Sequence, residues 1–350
     1  MELLQNKTAE IIQKNGLKDL SHGLLHGNAG LCIFFYQLAR QTNNADYEKF
    51  ADDLLDKVFA NLSTSTPADF EYGLAGIGWS IEYLVQNNFA EGNTDEILED
   101  VDNKVYRILN EEYNSSFELG NGLTGYLFYL ISRLRSKEKT LPMAQCINRE
   151  LLILAINKLD EMVISQFAGI VKEMNFDLFW RFPVMLHSLT EAFKLNIYNA
   201  KICCIIRQLL PNIEANIPSL HINRLYLAVA LKGVCSLIPD KRLEKQAKIL
   251  LYATDFEALK TEIDHTLLNI RYGWPGIVWL LKVASQEIPV DWPNHQLIIK
   301  TYHEIMERHE NPLADFLINI PVNCEPNGLA LGLSGIGLIE LLWPGVLSDI

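Results

Sequence analysis

The chain has 350 residues, 49% of them hydrophobic and 21% charged, with 30 basic against 43 acidic side chains and a net charge of −13. That apolar share supports a large buried core, and an acidic balance without any Lys/Arg cluster excludes nucleic acid as an expected partner. The longest apolar runs, Leu225 to Leu231 and Ile277 to Leu281, fall well short of the roughly 20 residues of a membrane span, so no membrane partner is expected.

Met1 to Lys7 shows no cationic segment with an apolar stretch behind it, and no signal peptide is expected. From the N-terminus onward, long amphipathic stretches recur: Leu3 to Lys14, Tyr47 to Leu62, Thr94 to Tyr113, Met143 to Val163, Ala200 to Leu210, Lys241 to Tyr252 and His295 to His309. Within Tyr47 to Leu62, Phe50, Leu54, Leu55, Val58, Phe59 and Leu62 form the stripe of a helix packed on one side. The β-branched alternation that a sheet needs is scarce.

Between these stretches lies a second kind of segment, a Gly-rich turn followed by a more apolar helix. Five starts are clear: Gly27 to Gly30, Gly73 to Gly76, Gly122 to Gly125, Gly273 to Gly276 and Gly332 to Gly335. Two are degenerate: Ser188 to Glu191 after His187, and Asn223 to Leu231. Outer-type and inner-type helices thus alternate about seven times, the mark of a repeat architecture. No Pro/Ser-rich linker divides the chain, so residues 1–350 read as a single domain. The glycines are expected where a tight turn needs positive φ or close backbone approach. Packing of adjacent inner helices and an anion held at a helix start are both open readings of the Gly-x-x-Gly spacing.

In a closed ring of repeats, equivalent positions converge. The residues just before the inner helices are then His26, Tyr72, Asn121, His187, Tyr272 and Leu331. One step earlier stand Leu25, Glu71, Gly120, Leu186, Arg271 and Ala330. This register expects His26, Glu71, Glu118, His187, Arg271 and Tyr272 around one mouth. Such a cluster suits acid–base chemistry, or a hydrogen-bonded polar lining. Glu71, Glu118 and Asp177 also leave room for paired-carboxylate glycan chemistry. His22 and His26 share a metal-compatible spacing, but Gly23 and Gly27 point to a turn. Asp52-Asp53-Leu54-Leu55-Asp56 reads as a solvated helix face rather than a magnesium motif. The six cysteines form no CxxC pair. They read as buried free thiols of a reducing compartment, and the expected location is cytoplasmic.

Gly73 to Ile77, Asn121 to Gly125, Tyr272 to Ile277 and Gly332 to Gly337, in this order and spacing, resemble the successive inner-helix motifs of the lanthionine synthetase cyclase (LanC-like) family. The resemblance implies an all-α fold, an α/α toroid of inner and outer helical barrels with a site at one end. It also implies a zinc ion held by a Cys before Tyr-Gly and a Cys-His before the last Gly. That zinc binds a peptide cysteine as thiolate for addition to a dehydrated serine or threonine. Here those positions carry Arg271, Ala330 and Leu331, none of them a zinc ligand, so no metal and no cofactor is expected. The family's acidic residue, histidine and tyrosine match Glu118, His187 and Tyr272, the catalytic candidates. His26, Glu71, Tyr72, Asn121 and Arg271 are the ligand-binding candidates. The expected function is binding of a peptide or peptide-maturation enzyme without cyclase activity. The alternative is an enzyme acting on a peptide or carbohydrate through the His/Glu/Tyr/Arg lining.

Overall fold

The computed structural model describes residues 4–15, 21–112, 116–135, 142–172, 175–283, 297, 300, 301, 304 and 327–342. Cys324 and much of the stretch His295 to His309 lie outside the described residues. In chain order the helices are α1 (Leu4–Asn15), α2 (Asn28–Thr42), α3 (Ala45–Ala60), α4 (Leu74–Gln86), α5 (Thr94–Ile97), α6 (Glu99–Arg107), α7 (Leu123–Arg135) and α8 (Pro142–Ile170). They continue with α9 (Arg181–Lys194), α10 (Asn199–Ala215), α11 (His221–Leu237), α12 (Lys241–Tyr252), α13 (Phe256–Glu262), α14 (Trp274–Val283) and α15 (Leu333–Leu342). A π-turn, Ile108–Glu112, extends α6. Among the described residues there is no strand. The all-helical class expected from the sequence is therefore the observed one.

The chain forms two compact units. Residues 1–64, 175–178 and 255–350 make the first, and residues 65–174 and 179–254 the second. In the first unit, α2 is apolar on nearly every side. Leu31, Cys32, Phe34, Phe35 and Leu38 are fully buried, and the helix packs against α1, α3 and α15. Each such side chain contributes about 1.5–3 kcal/mol by leaving water. Asn43 ends α2 in the left-handed region (φ 52), and the side chain of Asn44 then accepts the Asp46 N–H at 2.9 Å to start α3. On α3 the buried stripe is Ala51, Leu54 and Val58, narrower than the sequence suggested, with Phe59 41% exposed. Asp52, Asp53 and Asp56 face solvent, and Asp52 accepts the Tyr36 hydroxyl at 2.5 Å. The aspartate-rich motif is a solvated face.

In the second unit, inner helices α4, α7, α9 and α11 pack in sequence-adjacent pairs, while α6, α8 and α12 lie against them as amphipathic partners. One polar cluster is sealed in this core. Arg133 on α7, with a fully buried side chain, reaches Glu82 at 2.5 Å, Asp95 at 3.2 Å and Asp102 at 2.7 Å. The Tyr129 hydroxyl at 2.5 Å and the Asn148 amide at 3.2 Å both donate to Asp102. The guanidinium thereby ties α4, α5, α6 and α7 at one point. Buried charges survive only when paired and hydrogen-bonded in this way.

The described cysteines are all free. Cys32 and Cys235 are buried, as expected, but Cys146 and Cys204 are exposed and Cys203 half-buried. These three lie on the outer-type helices α8 and α10, where a helical position alone does not imply burial.

Candidate functional site

The Gly-x-x-Gly turns build the loop ends that the sequence singled out. Every clear start begins its helix one residue after the first glycine, at Asn28, Leu74, Leu123, Trp274 and Leu333. The glycines are not there for positive φ: Gly27 and Gly73 have φ −137 and −115. Close approach is the reason. A Cβ on Gly27 would lie 2.2 Å from the Ser21 carbonyl oxygen, on Gly73 2.3 Å from that of Pro67, and on Gly276 1.9 Å from that of Ile270. In each case the carbonyl belongs to the residue six positions earlier. The loop doubles back over the start of its own helix, and only a residue without a side chain leaves it room. The next N–H then bonds the same carbonyl: Asn28 to Ser21 at 2.9 Å, Leu74 to Pro67 at 2.8 Å, Leu123 to Ser116 at 2.8 Å. At these three starts the loop itself satisfies one of the helix's orphan N–H groups, which weighs against the anion-binding reading there.

Neighbouring loop ends are joined by backbone hydrogen bonds at the positions the repeat register had equated. In the first unit Ala330 N–H donates to Leu25 O at 2.8 Å and Arg271 N–H to Ala330 O at 3.1 Å. In the second, Phe70 and Glu71 N–H donate to Gly120 O at 2.8 and 3.2 Å. The fourth repeat corrects the sequence reading. There it is Leu178, not Leu186, whose N–H donates to Arg271 O, at 2.8 Å. Helix α9 begins at Arg181 with Trp180 as its N-cap. The residue equivalent to His26 and Tyr272 is thus Phe179. His187 lies two turns into α9, and the basis for giving it the family histidine's role is removed. The legible signal was Pro183, a proline in the first helical turn, as Pro275 is in α14.

Arg271 makes a two-pronged ion pair with Asp177, Nε to Oδ1 at 3.0 Å and Nη2 to Oδ2 at 3.1 Å, each side chain about one-fifth exposed. Its guanidinium also lies over the Tyr272 ring, 4.9 Å from the centroid. Neither Glu71 nor Glu118, the expected partners, supplies this carboxylate. Glu118 is instead bonded by Arg181, whose Nη1 also reaches Gly169 O at 3.3 Å. Glu71 lies against Gly120, half-buried. His26 is buried, and Tyr72 and Asn121 are exposed. His22 Nδ1 meets the Asn28 amide at 3.3 Å in the turn ahead of α2, so the two histidines are on a turn and not on one helix face. Two of the three carboxylates considered for glycan chemistry, Glu118 and Asp177, are thus clasped by arginines.

His187 belongs to a different place. A cavity of about 250 Å³ in the second unit is lined by Trp79, Tyr83, Phe128, Arg135, His187 and Glu191, among others. Loss of hydration among the neighbouring side chains depresses the His187 pKa below its ordinary 6.5, although the ring stays exposed on its cavity side. Glu191 opposes that, and Lys194 and Arg135 reinforce it. Burial works to raise Glu191, but hydrogen bonds from Lys194 and Arg135 outweigh it and leave its pKa lowered.

Residues 18–177 match the family model described as lanthionine synthetase C-like protein. Among solved structures the chain is similar to nisin cyclase, with a TM-score of 0.67 and 14% identity over 99% of this chain and 94% of that one. No curated protein matches the sequence. Residues 18–177 thus carry the LanC-like family match, and over nearly its whole length the chain shares the fold of nisin cyclase.

Proposed function

We propose that this chain is a LanC-like protein that works without zinc, binding a peptide or a peptide-maturation partner and carrying no lanthionine cyclase activity. The observation that carries this reading is the Arg271–Asp177 pair. The family resemblance puts a zinc-ligating thiolate at position 271 and two further ligands at 330 and 331. Arg271 and Ala330 are joined through the backbone at 3.1 Å, so these positions do come together. What they offer is a guanidinium, a methyl and an isobutyl group. None has a lone pair for a metal, and the fixed positive charge of Arg271 repels a dication. Without the metal a substrate thiol keeps its ordinary acidity, and the activation behind the family's reaction is missing. The free cysteines suit a reducing cytoplasm.

The test is direct. The full chain, supplied with zinc and a peptide bearing one cysteine and one dehydroalanine, should form the thioether no faster than zinc and peptide alone. A clear acceleration overturns the proposal.

The enzymatic reading has one observation in its favour, the depressed His187 beside a cavity. It lacks a matching carboxylate. Glu118 is held at Arg181, six residues and about 9 Å of helix rise from His187. Glu191 is taken by Arg135 and Lys194.

A further inference from the structure

The cavity around His187 has the build of a ligand site. Its walls are single stripes of three inner helices: Trp79, Tyr83 and Gln86 on α4, Phe128, Ser132 and Arg135 on α7, His187 and Glu191 on α9. The spacings i, i+4 and i+7 put each set on one helix face. Among the described residues no outer helix contributes to the lining.

Trp79 and Tyr83 stack at 5.6 Å with their planes 15° apart, and Phe128 meets the His187 ring at 5.9 Å. Trp79, Tyr83 and Phe128 are each only half-buried, so their rings are partly open. The charged groups at this place are committed to one another, Glu191 to Arg135 and to Lys194. Gln86 donates both amide hydrogens, to Glu82 at 2.9 Å and to the Ser132 carbonyl at 3.0 Å. His187 differs from all of these. It makes a ring contact with Phe128 but no hydrogen bond with the described residues, and it is exposed on the cavity side. With its pKa below 6.5, the ring is neutral at pH 7 and presents one N–H donor and one nitrogen acceptor.

We propose that this cavity receives one aromatic side chain of a bound peptide, packed on Trp79, Tyr83 and Phe128, with His187 hydrogen-bonding the phenolic hydroxyl or the adjacent backbone. The inference rests on the peptide-binding reading above and deepens it. A sugar fits less well. It carries a hydroxyl on nearly every carbon, and the cavity offers few groups besides His187 that are not already paired. An aromatic ring needs apolar faces and one polar handle, which is what three aromatic residues and one imidazole provide.

The experiment is binding to the full chain, followed by tryptophan fluorescence and calorimetry, with three probes: acetyl-Ala-Tyr-Ala-amide, acetyl-Ala-Ala-Ala-amide and cellobiose, alongside a mixed library of longer peptides. The tyrosine peptide should bind saturably and the alanine peptide at least tenfold more weakly. Trp79→Ala should weaken the tyrosine peptide roughly tenfold, and His187→Gln by several-fold. If Trp79→Ala fails to fold by circular dichroism, Trp79→Leu serves, since it keeps the packing and removes the aromatic face. Equal binding of both tripeptides, or cellobiose binding without the tyrosine peptide, overturns the proposal. Library peptides that bind regardless of Trp79 sink the cavity proposal and leave the peptide reading standing. A library from which nothing binds defeats the peptide reading, and the cavity proposal with it.

Discussion

Two arginines, Arg133 and Arg271, make similar contacts in different surroundings. Arg133 is sealed inside the second unit with three carboxylates, and its side chain is 0% exposed. Arg271 stands among loop ends of the first unit with one carboxylate, one-fifth open to solvent. Removing the buried cation would strand three anions in a medium that cannot hydrate them, whereas removing Arg271 would strand one that water can reach. The same pairing is a keystone of the core in one place and a device of the candidate site in the other, and burial decides which.

Arg133→Met should break the comparison at its strong end. A loss of about 3–5 kcal/mol is expected from the uncompensated carboxylates, measured by urea denaturation. A loss under about 1 kcal/mol would mean that Glu82, Asp95 and Asp102 do not depend on the guanidinium. Arg271→Met is expected to cost about 1–2 kcal/mol, since Asp177 regains part of its hydration. If the two variants lose equal stability, burial is not what separates these sites. Arg181→Met, with both partners of the Glu118 pair 42% exposed, should cost about 0–1 kcal/mol.

The glycine turns and the outer stripes were readable because each carries a local signal: an apolar period, or a glycine forced by a carbonyl six residues back. The fourth repeat was not. Its loop has no glycine, and His187 looked like the start of a motif because it precedes an apolar run. Pro183 marked the true start. The fifth repeat also lacks glycines, and there Arg224 holds the loop by donating to the Pro218 and Ser219 carbonyls at 2.7 and 3.1 Å. Pairing was the least legible part. Arg271 clearly needed an anion, but choosing Asp177 over Glu71 or Glu118 required knowing that residues 175–178 join the first unit. The cavity stripes were visible only as apolar helix positions until three helices were set side by side.

The smallest expected effect concerns pH. His187 has a folded-state pKa below its unfolded 6.5, so the unfolded chain binds the proton more readily. Its contribution to stability is complete above pH 6.5 and declines as pH falls toward the folded value. Glu191, also lowered, contributes above its ordinary 4.5 and loses that contribution as pH falls through its folded value. Nuclear magnetic resonance titration of His187 should give a midpoint below 6.5, and Glu191→Gln should lower it further by removing the anion that favours the imidazolium. A midpoint at or above 6.5 would contradict the packing assigned to this ring.

The central claim is that the Arg271–Asp177 pair stands where the resemblance puts a metal ligand. Metal content tests it most directly. The full chain, equilibrated with excess zinc and then desalted, is measured by elemental analysis beside an Arg271→Cys/Ala330→Cys/Leu331→His variant. The account predicts no stoichiometric zinc on the natural chain and about one per chain on the variant, where two thiolates and an imidazole are restored. One tightly held zinc per natural chain, lost when Asp177 is changed to Asn, would contradict it.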